Sequence, residues 1–162
     1  MKRISNEVMN EIRTYGTLYG SKVFGGYVNG VSDLDFLISY KDLDENSEIK
    51  RMVDCGSTET FYSEGSMKNC EEFVSFKSFN DMETPPINLV VFSDIELLES
   101  YKEATKVMIA MKEIPSIENI IKNKEKRIQL FQYLVNLLDT RNPLTLSPTK
   151  PPTTYPDDDI PF

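Results

Sequence analysis

The segment SDLDFLISY, residues 32 to 40, sets two acids, Asp33 and Asp35, at alternate positions at the head of an otherwise apolar run. In an extended chain, residues two apart project to one face, so both carboxylates stand together while Leu34 and Phe36 turn to the other side. Two like charges left unpaired on a half-buried strand repel each other and are costly to desolvate. A shared divalent cation converts the repulsion into coordination, and hard carboxylate oxygens suit Mg²⁺ or Mn²⁺, with substrate phosphates completing the shell. The segment therefore reads as a strand with a core behind it and a metal site in front.

The residues just before it supply the complementary chemistry. In TLYGSKVFGG a short strand ends at Gly20, and Ser21 opens a turn or short helix. A glycine there permits a sharp bend, the backbone N–H groups around Ser21 and Lys22 face outward, and the Ser21 hydroxyl is free to meet a terminal phosphate. Lys22 is placed to offset phosphate charge, while Gly25, Gly26 and Gly30 allow close approach or unusual dihedrals in the connection to Asp33. The order of strand, Gly-Ser turn, glycine-rich connection and alternating acids predicts a triphosphate held between a donor-rich turn and a metal-bearing strand.

The rest of the composition narrows the chemistry. The 162 residues contain no histidine, and the two cysteines, Cys55 and Cys70, form no CxxC pair. Cys/His zinc sites, histidine bases and Ser-His-Asp or Cys-His nucleophiles are thus excluded within this chain, and its chemistry must run on carboxylates. A net charge of −8 opposes broad attraction to nucleic acid or anionic membrane, though not a local basic patch. The absence of a long apolar segment and of a signal-like N-terminus predicts a cytoplasmic protein with no membrane association.

Hydrophobic periodicity gives the element order. Ile4, Val8, Met9 and Ile12 predict an N-terminal helix with Ser5 as its N-cap. LDFLIS, EEFVSFKSF and INLVVF read as strands, the last two joined as an antiparallel hairpin through NDMETPP. EIKRMV fits a helical turn or two, and GSTETFYSEGS a short strand or hairpin. Asp94 caps a helix carrying Leu97, Leu98, Tyr101, Thr105, Met108 and Met111, and Pro115 separates it from a second helix running to Leu138. In that helix Lys124 interrupts the apolar stripe and either snorkels or points to the phosphates, and KNKEKR reads ordinarily as a solvent face, with contact to the phosphates of RNA or of a bound nucleotide as the alternative. Residues 139 to 162 hold six of the nine prolines and read as an extended or disordered acidic tail after a single domain over residues 1 to 138.

With those residues in place, Tyr19-Gly20-Ser21, Gly25 and the run from Ser32 to Ile38 resemble the signature of the DNA polymerase beta-like nucleotidyltransferase superfamily, particularly its minimal-nucleotidyltransferase branch. The resemblance implies an α/β (α+β) fold, a small mixed sheet packed by helices with two helices at the C-terminal end. It also implies that Gly20, Ser21 and Lys22 meet a nucleoside triphosphate and that Asp33 and Asp35 hold the metal. The family places a third acid on a neighbouring strand, where this chain has Asn88 in PINLVVF. An amide brings neither the charge nor the basicity of a carboxylate. The expected activity is transfer of a nucleoside monophosphate to a hydroxyl on RNA, protein or a small molecule, with Asp33, Asp35 and Asn88 as the catalytic set. The alternative is a catalytically impaired nucleotide-binding or regulatory module of the same fold, with the C-terminal helices or tail as a surface for a protein partner.

Overall fold

The computed structural model describes residues 2–57, 59–62, 70–77 and 85–141. The chain opens with β1 (Lys2–Arg3) and α1 (Asn6–Tyr15). Ser5 caps α1 as expected, its hydroxyl oxygen accepting the Val8 N–H at 3.2 Å, and Gly16 closes it by donating to the Ile12 carbonyl at 2.7 Å. There follow β2 (Thr17–Tyr19), the single turn α2 (Ser21–Phe24) and β3 (Leu34–Ser39), with the bounds that the apolar runs predict. After α3 (Glu48–Asp54) come β4 (Glu59–Tyr62), β5 (Cys70–Lys77) and β6 (Ile87–Phe92). The C-terminal part is helical, with α4 (Ile95–Met111), α5 (Glu118–Lys122) and α6 (Lys124–Leu138).

The fold is mixed α/β, with helices packed on a sheet and the last helices at the C-terminal end. The sheet runs β1-β5-β6-β3-β2, with β4 also paired to β5. β3 and β6 are parallel, whereas β2 lies antiparallel to β3 and β5 antiparallel to β6, so the two apolar strands LDFLIS and INLVVF occupy its middle. Both are covered on two faces, which is why each tolerates so little polar sequence beyond its first residues. The NDMETPP connection lies largely outside the described residues, but the antiparallel pairing it was expected to permit is present.

Alternation along β3 and β6 sorts side chains into two cores. Ile38, Ile87, Leu89 and Val91 pack with Val8 and Ile12 of α1 and Ile49 of α3. Leu37, Val90 and Phe92 pack on the opposite face with Leu97, Tyr101 and Met108 of α4 and Phe131 and Val135 of α6. Ile12 is fully buried between α1 and the sheet. Replacing it by Val removes one methylene from a site with little room to relax. Ile12→Val is expected to lower unfolding free energy by about 1 kcal/mol in urea titrations; an unchanged midpoint would contradict this packing.

One expectation is corrected at the C-terminal end. The second helix is not continuous, because Asn123 adopts φ −85° and ψ 118° and its side chain caps a new helix, accepting the Lys126 N–H at 3.0 Å. Past Leu138 the chain leaves the helix in an extended conformation at Asp139. Asp139 is buried, and Arg141 donates to its carboxylate at 3.0 Å and to Asp94 at 2.6 Å, tying the start of the acidic segment to the N-terminal end of α4. Residues 142 to 162, the remainder of the predicted tail, lie outside the described residues.

Candidate active site

The β2–α2 turn and the head of β3 meet because β2 pairs antiparallel with β3, which sets Tyr19 directly opposite Asp35. Gly20 follows at once with φ 76°, a left-handed value that L side chains rarely adopt. A Cβ at Gly20 would also collide with the Asp35 carboxylate, so only glycine lets the turn pass this close to the acid. The Val23 and Phe24 N–H groups both return to the Gly20 carbonyl, which puts the Ser21 and Lys22 amides ahead of the first closed ring.

Gly20, Ser21, Asp33 and Asp35 line one open cleft of about 970 Å³. Tyr19, Phe24, Tyr101 and Phe131 line it too, with ring centroids of 5.1 to 5.8 Å from Phe131 to the other three. Tyr19 thus belongs to the cleft. Tyr15 is exposed on α1, and Tyr27 lies beneath the Lys22 ammonium, 4.0 Å from its ring centroid. Lys22 is not among the cleft-lining residues. Successive helical residues diverge by about 100°, so a Ser21 turned toward the cleft sends its neighbour elsewhere.

Asn88 lies on β6 at the register position of Asp35, one strand away. Its side-chain amide nitrogen donates to Asp35 Oδ1 at 3.1 Å and makes a shorter hydrogen bond to Asp33 Oδ2. The amide therefore clamps the two acids as a double donor. Among the described residues no group of three His, Cys, Asp or Glu side chains is placed to hold a metal ion. Asp94 is committed to the α4 cap and Arg141, and Glu72 stands in register with Val91 rather than Asn88; Asp81 and Glu83 lie outside the described residues.

Burial pushes the Asp35 carboxyl up to about 6, against the hydrogen bond from Asn88; the Asp33 charge raises it further and Lys124 opposes. Burial, then the Asp35 charge, carries the Tyr19 hydroxyl well above its ordinary value, so it stays protonated. The donor set fits a divalent cation only in part. The two carboxylates are hard, converging ligands, but Asn88 directs N–H groups at them and must turn its amide over to offer Oδ1.

The opposite side of the cleft is formed by α5 and α6, whose charged contributions are Lys122, Lys124, Glu125 and Arg127. Ile128, at apolar helical spacing with Phe131 and Val135, is 45% exposed at the cleft. Arg127, assigned by pattern to a solvent face, is instead buried. Asn123 as an N-cap, three residues before Lys126, is the sequence signal that would have exposed the break. No family model, curated protein or solved structure matches this chain. Among the described residues no helix is long and apolar enough to cross a membrane.

Proposed function

We propose that the chain is a metal-dependent nucleotidyltransferase that binds a nucleoside triphosphate in the cleft and whose transfer chemistry is weakened by Asn88. The observation that supports this reading is the convergence of the Gly20-Ser21 turn and the Asp33/Asp35 pair on one cleft. Phosphate oxygens would accept from the Ser21 hydroxyl and the backbone amides of the turn, with Gly20 letting the polyanion approach. Asp33 and Asp35 would hold Mg²⁺ or Mn²⁺, which when bound supplies positive charge beside the reacting phosphate. An acceptor hydroxyl on RNA, protein or a small molecule attacks the α phosphorus, forming a new O–P bond as the bond to pyrophosphate breaks. Its proton is lost to water, since Asn88 cannot receive it as a carboxylate would. The chain's own contribution is orientation and exclusion, with the aromatic floor shielding one side of the cleft.

A second reading is favoured by the Asn88 clamp, namely a protein that binds nucleotide but does not turn it over, acting as a regulatory or partner-binding module. Titration of each labelled nucleoside triphosphate with and without Mg²⁺, alongside pyrophosphate release, separates the two. Ser21→Ala is expected to weaken metal-dependent binding by about tenfold with the fold intact, the scale of one charge-assisted hydrogen bond. Wild-type affinity in both Ser21→Ala and Asp33→Asn would remove the proposed pocket. Binding without pyrophosphate release, across RNA, protein and small-molecule acceptors, would select the regulatory reading.

A further inference from the structure

Asp33 and Asp35 stand on the sheet side of the cleft, whereas the α6 side carries the cations Lys124 and Arg127 with one acid, Glu125, between them in sequence. The break at Asn123 creates this arrangement: α5 ends at Lys122, and the Arg127 guanidinium reaches back across the break to donate from Nη1 to the Ile121 carbonyl at 2.7 Å. The same nitrogen packs over Gly26, where an added Cβ would sit 2.6 Å from it, so a glycine with φ 87° admits the guanidinium to the cleft edge.

Arg127 is only 7% exposed. Among the described residues its one hydrogen-bond acceptor is that carbonyl, and no carboxylate pairs with it. Burial lowers its pKa and no acid offsets the effect. A guanidinium has five N–H donors in a planar fork, so most of its donor capacity is unspent. None of its nitrogens is a fully buried orphan, and the cleft is where they meet solvent. A buried cation without a counter-ion is expensive to maintain and is expected where an anionic ligand completes it. Lys124, exposed beside it, likewise has no ion-pair partner among the described residues, whereas neighbouring Lys122 is paired to Glu118 at 2.5 Å. Lys124 lines the same cleft as Asp35, and its charge opposes the rise in the Asp35 pKa.

We infer that Lys124 and Arg127 form a polyphosphate-binding subsite that captures pyrophosphate or the distal phosphates of a nucleotide without a divalent cation. The identity of the anion rests on the nucleotide reading; its capture by this wall does not. A chain of linked phosphates suits the pair better than a single small anion, because Arg presents a fork and Lys a point charge one helical turn away. The subsite assumes the charge-neutralising role that the sequence assigned to Lys22.

Calorimetric titration of the full chain with inorganic tripolyphosphate and pyrophosphate in excess EDTA tests this, with sulfate as a single-anion control. Saturable binding is expected, tighter for tripolyphosphate than for sulfate and weakening as NaCl is raised. Lys124→Met, an exposed change that spares the fold, is expected to lose about tenfold in affinity, and Arg127→Lys a similar factor through loss of the fork. No binding by the folded wild type, or equal affinity in wild type and Lys124→Met, overturns the inference. Parallel titrations with a nucleoside triphosphate and Mg²⁺ keep the two proposals apart. Tripolyphosphate binding that needs Lys124, with no effect of Asp33→Asn or Ser21→Ala on the nucleotide, supports the subsite and removes the nucleotide pocket. The reverse pattern does the opposite.

Discussion

Asn88→Asp is expected to raise Mg²⁺-dependent nucleotide transfer by about 100-fold over the wild-type chain, the scale associated with one well-placed charged or hydrogen-bonding group at a phosphoryl-transfer centre. The substitution is nearly isosteric and sits in register with Asp35 on the adjacent parallel strand, so the new carboxylate needs no backbone shift to join the pair. Its two effects oppose each other. With metal, three acids share a cation and one of them can take the acceptor's proton. Without metal, the amide that now donates to both carboxylates is replaced by a third negative charge. The variant should therefore be less stable than wild type in EDTA, by about 2 kcal/mol, and recover when Mg²⁺ is added. Pyrophosphate release and thermal melts, each with and without Mg²⁺, read both halves. A variant that melts as expected yet transfers no faster than wild type would show that something other than the third acid limits turnover.

How the sequence foretold this site depends on which interaction sets each residue's place. Asp33, Asp35 and the β3 bounds follow from strand alternation, a local rule that tertiary packing cannot easily override once Leu37 and Ile38 are buried on opposite faces. Asn88 is equally legible, because INLVVF has no other polar residue and must begin beside the site. What the pattern could not supply is the direction of its amide, which the two acceptors beside it decide. Lys22 was given a ligand role by adjacency to Ser21, and adjacency misleads on a helical turn. The α6 wall was obscured for another reason. A single capping asparagine divides a run that is helical on both sides, and composition alone favours continuing it. The consequence is large: Arg127 passes from a predicted solvent face to a buried position in the cleft. The ion pairs of Arg141 with Asp139 and with Asp94 and Glu96 at the start of α4 were hidden by a composition dominated by proline.

Asp35→Asn is expected to stabilise the metal-free protein at neutral pH by about 2 to 3 kcal/mol. The native fold holds the Asp35 carboxyl at about 6, chiefly through burial, while the unfolded chain releases that proton near 3.8. Between those values the folded state binds more protons than the unfolded state, so this group's contribution to stability falls as pH rises from about 4 to about 6 and is flat above. Asparagine has no such transition, and its side-chain oxygen still accepts from Asn88. The difference in unfolding free energy between variant and wild type should then be near zero at pH 3.5, grow through pH 5 and level off by pH 7. Urea titrations in EDTA across that range measure it, and other carboxylates cancel in the difference. A flat difference curve would mean that Asp35 ionises as freely in the fold as out of it, leaving no buried charge for a cation to relieve. At pH 7.5 a divalent cation should close the gap from the other side, raising the midpoint of wild type while leaving Asp35→Asn almost unmoved, because the charge that costs the apoprotein stability is the one proposed to hold the metal.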